Sequence, residues 1–121
     1  ARNKLSDAVV ATGIPHLGSG NHANFLIELR HMMAEVAGVR RLGSAALDLA
    51  YVAAGRCDAF WEQGLAAWDV AAGILLVREA GGFVSDIKGG QDMFDSRTIV
   101  AGNETIHRAM LKALAKRLKP V

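Results

Sequence analysis

The sequence predicts an α/β domain, with helices layered on a mixed, partly parallel sheet. Two observations carry that reading. Short segments rich in β-branched and small residues alternate along most of the chain with longer ones whose apolar residues recur at helical spacing. The chain also has 121 residues, with 51% apolar and 21% charged. That composition suits one domain with its own core and excludes a disordered chain.

The elements follow in order. "LSDAVVATG" (residues 5–13) is rich in small and β-branched residues and closes on Gly13 and Pro15, so it reads as a strand. The loop "HLGSGN" follows, punctuated by two glycines. From Asn21 or His22 to Val36, the residues Phe25, Leu26, Leu29, Met32, Met33 and Val36 repeat at helical spacing, and Gly38 ends the pattern. "VRRLG" reads as a short strand. Ser44 is then placed to cap a helix over "AALDLAYVAAG", which stops at Gly55. "CDAFWEQG" reads as another strand, and "AAWDVAAGILLVREAGG" supplies a helix from about Ala67 to Ala80, ended by a double glycine. "FVSDI" and "TIVAG" read as strands separated by the turn-rich "KGGQDMFDSR". Asn103 caps the last helix, with Glu104 in its first turn and Lys112, Lys116, Arg117 and Lys119 towards its end, as the helix dipole prefers.

Charge and cysteine content narrow the function classes. Fourteen basic residues nearly balance twelve acidic ones. The surplus sits in "RAMLKALAKRLK" without interleaved aromatic residues, the pattern of a solvated helix face rather than of a nucleic-acid site. A single Cys57 excludes an internal disulfide and suits a reducing cytosol. No apolar run reaches the length of a membrane span, and no signal segment opens the chain. With no initiator Met and an opening that reads as entry into a strand, the chain is expected to be a piece of a longer protein.

Two places can carry chemistry. Gly43, Ser44, Ala45 and Ala46 put a helix start directly after a strand. Free backbone N–H groups and the positive dipole end there suit an anion, and small side chains let it approach. On local pattern alone, Ser44 reads first as the cap of a buried helix. Glu62 closes a strand and Asp69 opens the next helix, so both fall at the rim where α/β proteins bind ligands. Such carboxylates can hold a hard cation or accept hydrogen bonds from a hydroxylated substrate. They also suit an ordinary helix-dipole Asp and a surface-paired Glu.

The other candidates read as structural. His16, His22, His31 and His107 lack zinc-site spacing. Asp48 and Glu79 lie in helices within reach of Arg40, Arg41 or Arg78, and Asp86, Asp92 and Asp95 suit turns. Trp61 and Trp68 read as core packing. Phosphate-loop and nucleophile-elbow motifs are absent from the sequence.

"WDVAAGILLVREAGG" resembles the C-terminal signature of the inositol monophosphatase family of metal-dependent, lithium-sensitive phosphatases. "RRLGSAALDLAYVAAGRCDAFWEQGL" resembles the preceding block of its bacterial members, and "TIVAGNETIHRAML" the closing strand and helix. The resemblance implies a layered α/β sandwich, of which residues 1–121 form the C-terminal α/β domain. It implies Asp69 as a catalytic ligand of Mg²⁺, Glu62 as acceptor for a ring hydroxyl of inositol, and Gly43, Ser44 and Ala45 as groups presented to the substrate. The family's Asp-Pro-[Ile/Leu]-Asp-Gly-Thr signature and its upstream Glu are not in this sequence, so the N-terminal half would bring most of the metal site.

The activity implied is Mg²⁺-dependent hydrolysis of inositol monophosphate by a cytoplasmic homodimer, with this chain inactive on its own. Other phosphate esters stay open as substrates: a nucleotide bisphosphate, fructose bisphosphate or histidinol phosphate. So does a protein- or RNA-binding role in transcription, as in some bacterial relatives.

Overall fold

The strands are short, those at the centre of the sheet are largely buried, and the helices between them carry the apolar stripes that cover the sheet. In the computed structural model, residues 2–13, 22–65 and 67–115 are described, with the side chains of Ala67 and Asp69 outside that set. The loop beginning at His16 and the end of the last helix, with Lys116, Arg117 and Lys119, also lie outside the described residues.

The element order is β1 (Val9–Thr12), α1 (His22–Glu35), β2 (Gly38–Arg40), α2 (Ala45–Ala53), β3 (Ala59–Gln63), α3 (Ala67–Glu79), β4 (Phe83–Ser85), α4 (Met93–Ser96), β5 (Thr98–Gly102) and α5 (Glu104–Ala115). The strands form one mixed sheet in the order β2-β1-β3-β5-β4. β1 is parallel to both β2 and β3, with Val10 beside Val39 and Thr12 beside Trp61. β5 is antiparallel to β3 and β4, with Trp61 facing Val100 and Val84 facing Ala101.

Alternation along each strand sends successive side chains to opposite faces, and each face has its own helix pair. Ala11, Phe60, Ile99 and Ala101 pack against Leu49 of α2 and Val70, Ile74 and Val77 of α3. On the other face Val10, Ala59, Trp61 and Val100 meet Phe25 and Met32 of α1 and Ile106, Met110 and Leu114 of α5. The architecture is therefore a three-layer α/β/α sandwich.

Local signals account for the helix limits. Ser44 is extended and its Oγ accepts from the Leu47 N–H at 3.3 Å, starting α2. Asn103 Oδ1 accepts from the Ile106 N–H at 2.8 Å, starting α5. Ile106, Met110, Ala113 and Leu114 then recur on one face of α5 and are all buried. Gly73 lets α2 and α3 approach closely: a Cβ there would stand 2.5 Å from Leu49 Cδ1.

Three expectations change. The first strand starts later than its composition suggests, because Leu5–Asp7 forms a 3-10 turn closed by Asp7 N–H to Lys4 O and Ala8 N–H to Leu5 O. Serine and aspartate favour such turns over a ladder. The turn-rich segment before β5 contains a short helix, α4. The Asp86 carboxylate orders the loop ahead of it, accepting from the N–H groups of Lys88, Gly90 and Asp92 at 2.8–3.0 Å. Finally, Trp61 is fully buried but Trp68 is 85% exposed, so only the first of the two tryptophans packs in the core. None of the described helices is long and apolar enough to cross a membrane.

Candidate functional site

Because β1, β2 and β3 run in parallel, their carboxyl ends reach the same edge of the sheet. Gly13, Arg40 and Glu62 fall there, and α2 and α3 start from it. β5, running the other way, begins at the same edge with Arg97 and Thr98 beside it. The sheet direction thus gathers Gly43, Ser44, Ala45, Glu62 and the head of α3 at one rim.

Gly43 turns the chain from β2 into α2 with φ +90°, and beyond its chain neighbours no described atom lies within 4 Å of where its Cβ would be. The glycine is required by backbone conformation rather than by crowding. Gly43 and Ser44 are exposed, while Ala45 is half-buried and packs its methyl against the core. Ser44 Oγ is used on Leu47, so any anion at this place would meet main-chain N–H groups of the first turn, which have no intrahelical acceptor. Asp69 is the third residue of α3, and its side chain lies outside the described residues.

Glu62 is half-buried and projects to the α2–α3 face of the sheet, lying against the backbone of Gly13. Its two neighbours in β3 point the other way and share one acceptor. The fully buried Glu28 of α1 accepts from Trp61 Nε1 at 3.2 Å, and also from Gln63 Nε2. A buried carboxylate is costly unless it is hydrogen-bonded, and here the donors are the residues that flank Glu62.

Arg97 braces the loop that leads into α3. It adopts a left-handed conformation, φ 58° and ψ 32°, uncommon for a non-glycine residue. Its Nε donates to Leu65 O at 2.7 Å and its Nη2 to Gly64 O at 2.9 Å, while its own carbonyl accepts from the N–H groups of both residues. Sequence reasoning placed Arg97 in a turn; nothing in "DSRT" announces either the conformation or the reach across to residue 65.

Asp48 departs from expectation. It is 1% exposed, and neither oxygen accepts a hydrogen bond from a described residue. Burial raises its pKa from 3.8 to about 6. Arg40 instead turns to the carbonyl of Val39. Asp48 points inward beside Leu49, where an exposed arginine at the sheet edge does not follow. Cys57 is likewise shifted up, chiefly by burial and then by the charges of Asp48 and Asp58.

A second pairing is structural. Ser85 Oγ lies 2.7 Å from His107 Nε2, but its hydroxyl donates to Asp86 O at 2.8 Å. The serine therefore accepts from the imidazole and is no activated nucleophile. Burial lowers the pKa of His107, keeping the ring neutral.

The donor set at the rim is of the right kind for Mg²⁺, hard oxygen, but short in number. Among the described residues no three His, Cys, Asp or Glu side chains converge on a possible metal position. Mg²⁺ requires close to octahedral oxygen coordination, which Glu62 and one helix-head aspartate do not complete. The described residues alone do not build a Mg²⁺ site.

Fold and rim define the class: a layered α/β domain with a carboxylate and two helix starts gathered at the carboxyl ends of parallel strands. The chain belongs to the inositol monophosphatase family, whose model matches residues 1–119. It is 71% identical over 117 residues to an inositol-1-monophosphatase of Mesorhizobium japonicum, covering 97% of this chain and 44% of that protein. It is 48% identical to the Nus factor SuhB of Pseudomonas aeruginosa, covering 98% of this chain and 45% of that protein.

Among solved structures, the extragenic suppressor protein suhB of Bartonella henselae superposes with a TM-score of 0.92 at 61% identity, covering 96% of this chain and 44% of that one. An inositol monophosphatase from Anabaena superposes at 0.83 and 39% identity, covering 95% and 46%. The chain therefore spans somewhat less than half the length of these relatives.

Proposed function

We propose that the protein to which this chain contributes hydrolyses inositol monophosphate, or a similar small polyol phosphate, with Mg²⁺. The observation that carries the reading is the meeting of Glu62 with the starts of α2 and α3 at one rim, in a chain matching the family over 119 of its residues. Glu62 accepts a hydrogen bond from a ring hydroxyl and orients the polyol. The first-turn amides after Gly43, at Ser44 and Ala45, hold anionic or hydroxyl oxygens of the substrate. Asp69 serves as one Mg²⁺ ligand. The metal, when bound, neutralises charge on the phosphate.

The remaining ligands come from the N-terminal half. The outward faces of α2 and α3 carry Leu47, Trp68, Leu75 and Leu76 in exposed positions, and such an apolar face suits a seat for that half. The whole protein is taken as a cytoplasmic homodimer, and this chain alone as inactive.

The test is Mg²⁺-dependent phosphate release from inositol 1-phosphate by the full-length enzyme, by this chain alone, and by this chain with its upstream half. Activity only when both halves are present supports the reading, and activity from this chain alone overturns it. In the full-length enzyme Asp69→Asn should lower kcat by about 100-fold or more. Undiminished hydrolysis would remove Asp69 from the site. Faster turnover of a nucleotide bisphosphate, fructose bisphosphate or histidinol phosphate would keep the chemistry and change the substrate.

The resemblance to proteins named Nus factor SuhB, at 48% identity in Pseudomonas aeruginosa and 50% in Escherichia coli, favours one further reading, a binding role in transcription complexes. Reversing the charges of Arg117 and Lys119 should abolish such binding to RNA or protein and spare hydrolysis, with Asp69→Asn doing the opposite.

A further inference from the structure

We propose that Gly13 is a specificity position: the absent side chain is the slot in which the Glu62 carboxylate lies, and it sets where that carboxylate meets the hydroxyls of the substrate. The inference rests on the reading of Glu62 as the polyol acceptor.

Gly13 follows directly on the pairing of Thr12 with Trp61, which brings it beside Glu62 at the ends of two parallel strands. Its φ lies outside the left-handed region, so the backbone conformation does not demand glycine. Space does. A methyl built on Gly13 would overlap Glu62 Oε1 and Cδ and stand 2.8 Å from Oε2, and these are the three atoms nearest to it. The nearest described obstacle to a side chain is thus one carboxylate at the end of a flexible stem.

What would move is equally specific. Trp61 is fully buried in the core, and it and Gln63 both donate to Glu28 on the opposite face of the sheet. β3 is held on both sides of Glu62, so the displacement falls on the Glu62 side chain rather than on the strand. An alanine at position 13 would push the carboxylate aside by about 1 Å, on the scale at which misplacing a substrate-binding group matters.

The experiment uses the full-length enzyme and two substrates: inositol 1-phosphate, and p-nitrophenyl phosphate, which has no polyol. Gly13→Ala should lower kcat/KM for inositol 1-phosphate by about 10-fold, mainly through KM, and leave p-nitrophenyl phosphate within about twofold. In a Glu62→Ala background the same substitution should add nothing, because the group it displaces is gone. Equal losses on both substrates, or a full additional loss in the Glu62→Ala background, overturn the proposal.

Should Gly13→Ala fail to fold, the double variant must recover folding, since its obstacle is removed. A double variant that stays unfolded also overturns the proposal. Glu62→Ala alone tests the underlying reading: if it leaves inositol 1-phosphate kinetics unchanged, the role of Glu62 fails whatever Gly13 does.

Discussion

Asp48 faces the inside of α2 with no described hydrogen-bond donor at either oxygen. Its folded pKa of about 6 lies above the ordinary 3.8, so between those values the folded protein binds protons more tightly than the unfolded chain. Stability should therefore be highest on the acid side of this window, fall as pH rises from about 4 to about 6, and stay low above it. The raised value corresponds to roughly 3 kcal/mol at neutral pH. Asp48→Asn should raise the melting temperature at neutral pH and flatten the slope between about pH 4 and 6. Urea titrations across that range check both, and an unchanged slope would place the titration elsewhere.

At this scale the sequence announces some residues and hides others. Ser44, Asn103 and Glu62 were legible because a cap and a strand end are local patterns. Gly13, Glu28 and Arg97 were not, since each acts on a residue 32 to 49 positions away that only the folded sheet brings near.

Helix α2 owes its seat to α3. Gly73 meets Leu49 where any Cβ would overlap it, so Gly73→Ala should destabilise the protein by about 1–3 kcal/mol through overpacking. Shortening Leu49 to Ala in the same chain should recover part of that loss, so that the double variant is more stable than the sum of the single effects. Thermal melts of the four proteins measure the coupling. The cap of α5 offers a smaller effect: Asn103→Ala removes an acceptor for the Ile106 N–H and should cost about 1 kcal/mol.

The extents of α1, α2 and α3 were read to within a residue or two because apolar spacing and caps are written locally. The opening strand was read as too long and α4 was missed, because the order around each comes from backbone and carboxylate hydrogen bonds that residue type does not reveal. Trp68 was misplaced for a related reason. Residue size suggests burial, but the direction of one helical position is fixed by how the whole helix lies on the sheet.

Over the whole molecule the sheet changes character at β3, parallel to β1 on one side and antiparallel to β5 on the other. Alternating elements pointed to parallel strands, and which neighbour ran the opposite way came only with the topology. Leu47, Trp68, Leu75 and Leu76 face outward on the α2–α3 side. Introducing Lys at Leu75 and Leu76 should weaken assembly with the upstream half by about 10-fold or more while leaving the circular dichroism of this chain unchanged. Titration of one purified half with the other reads that affinity.

The sheet ends on both sides in strands of only three residues, β2 and β4. Each border therefore offers few unpaired peptide groups to a passing chain. A copy of this layer not yet docked on its upstream half is therefore stickiest across a helical surface and least sticky along its rims, where strand-to-strand growth into fibrils would begin.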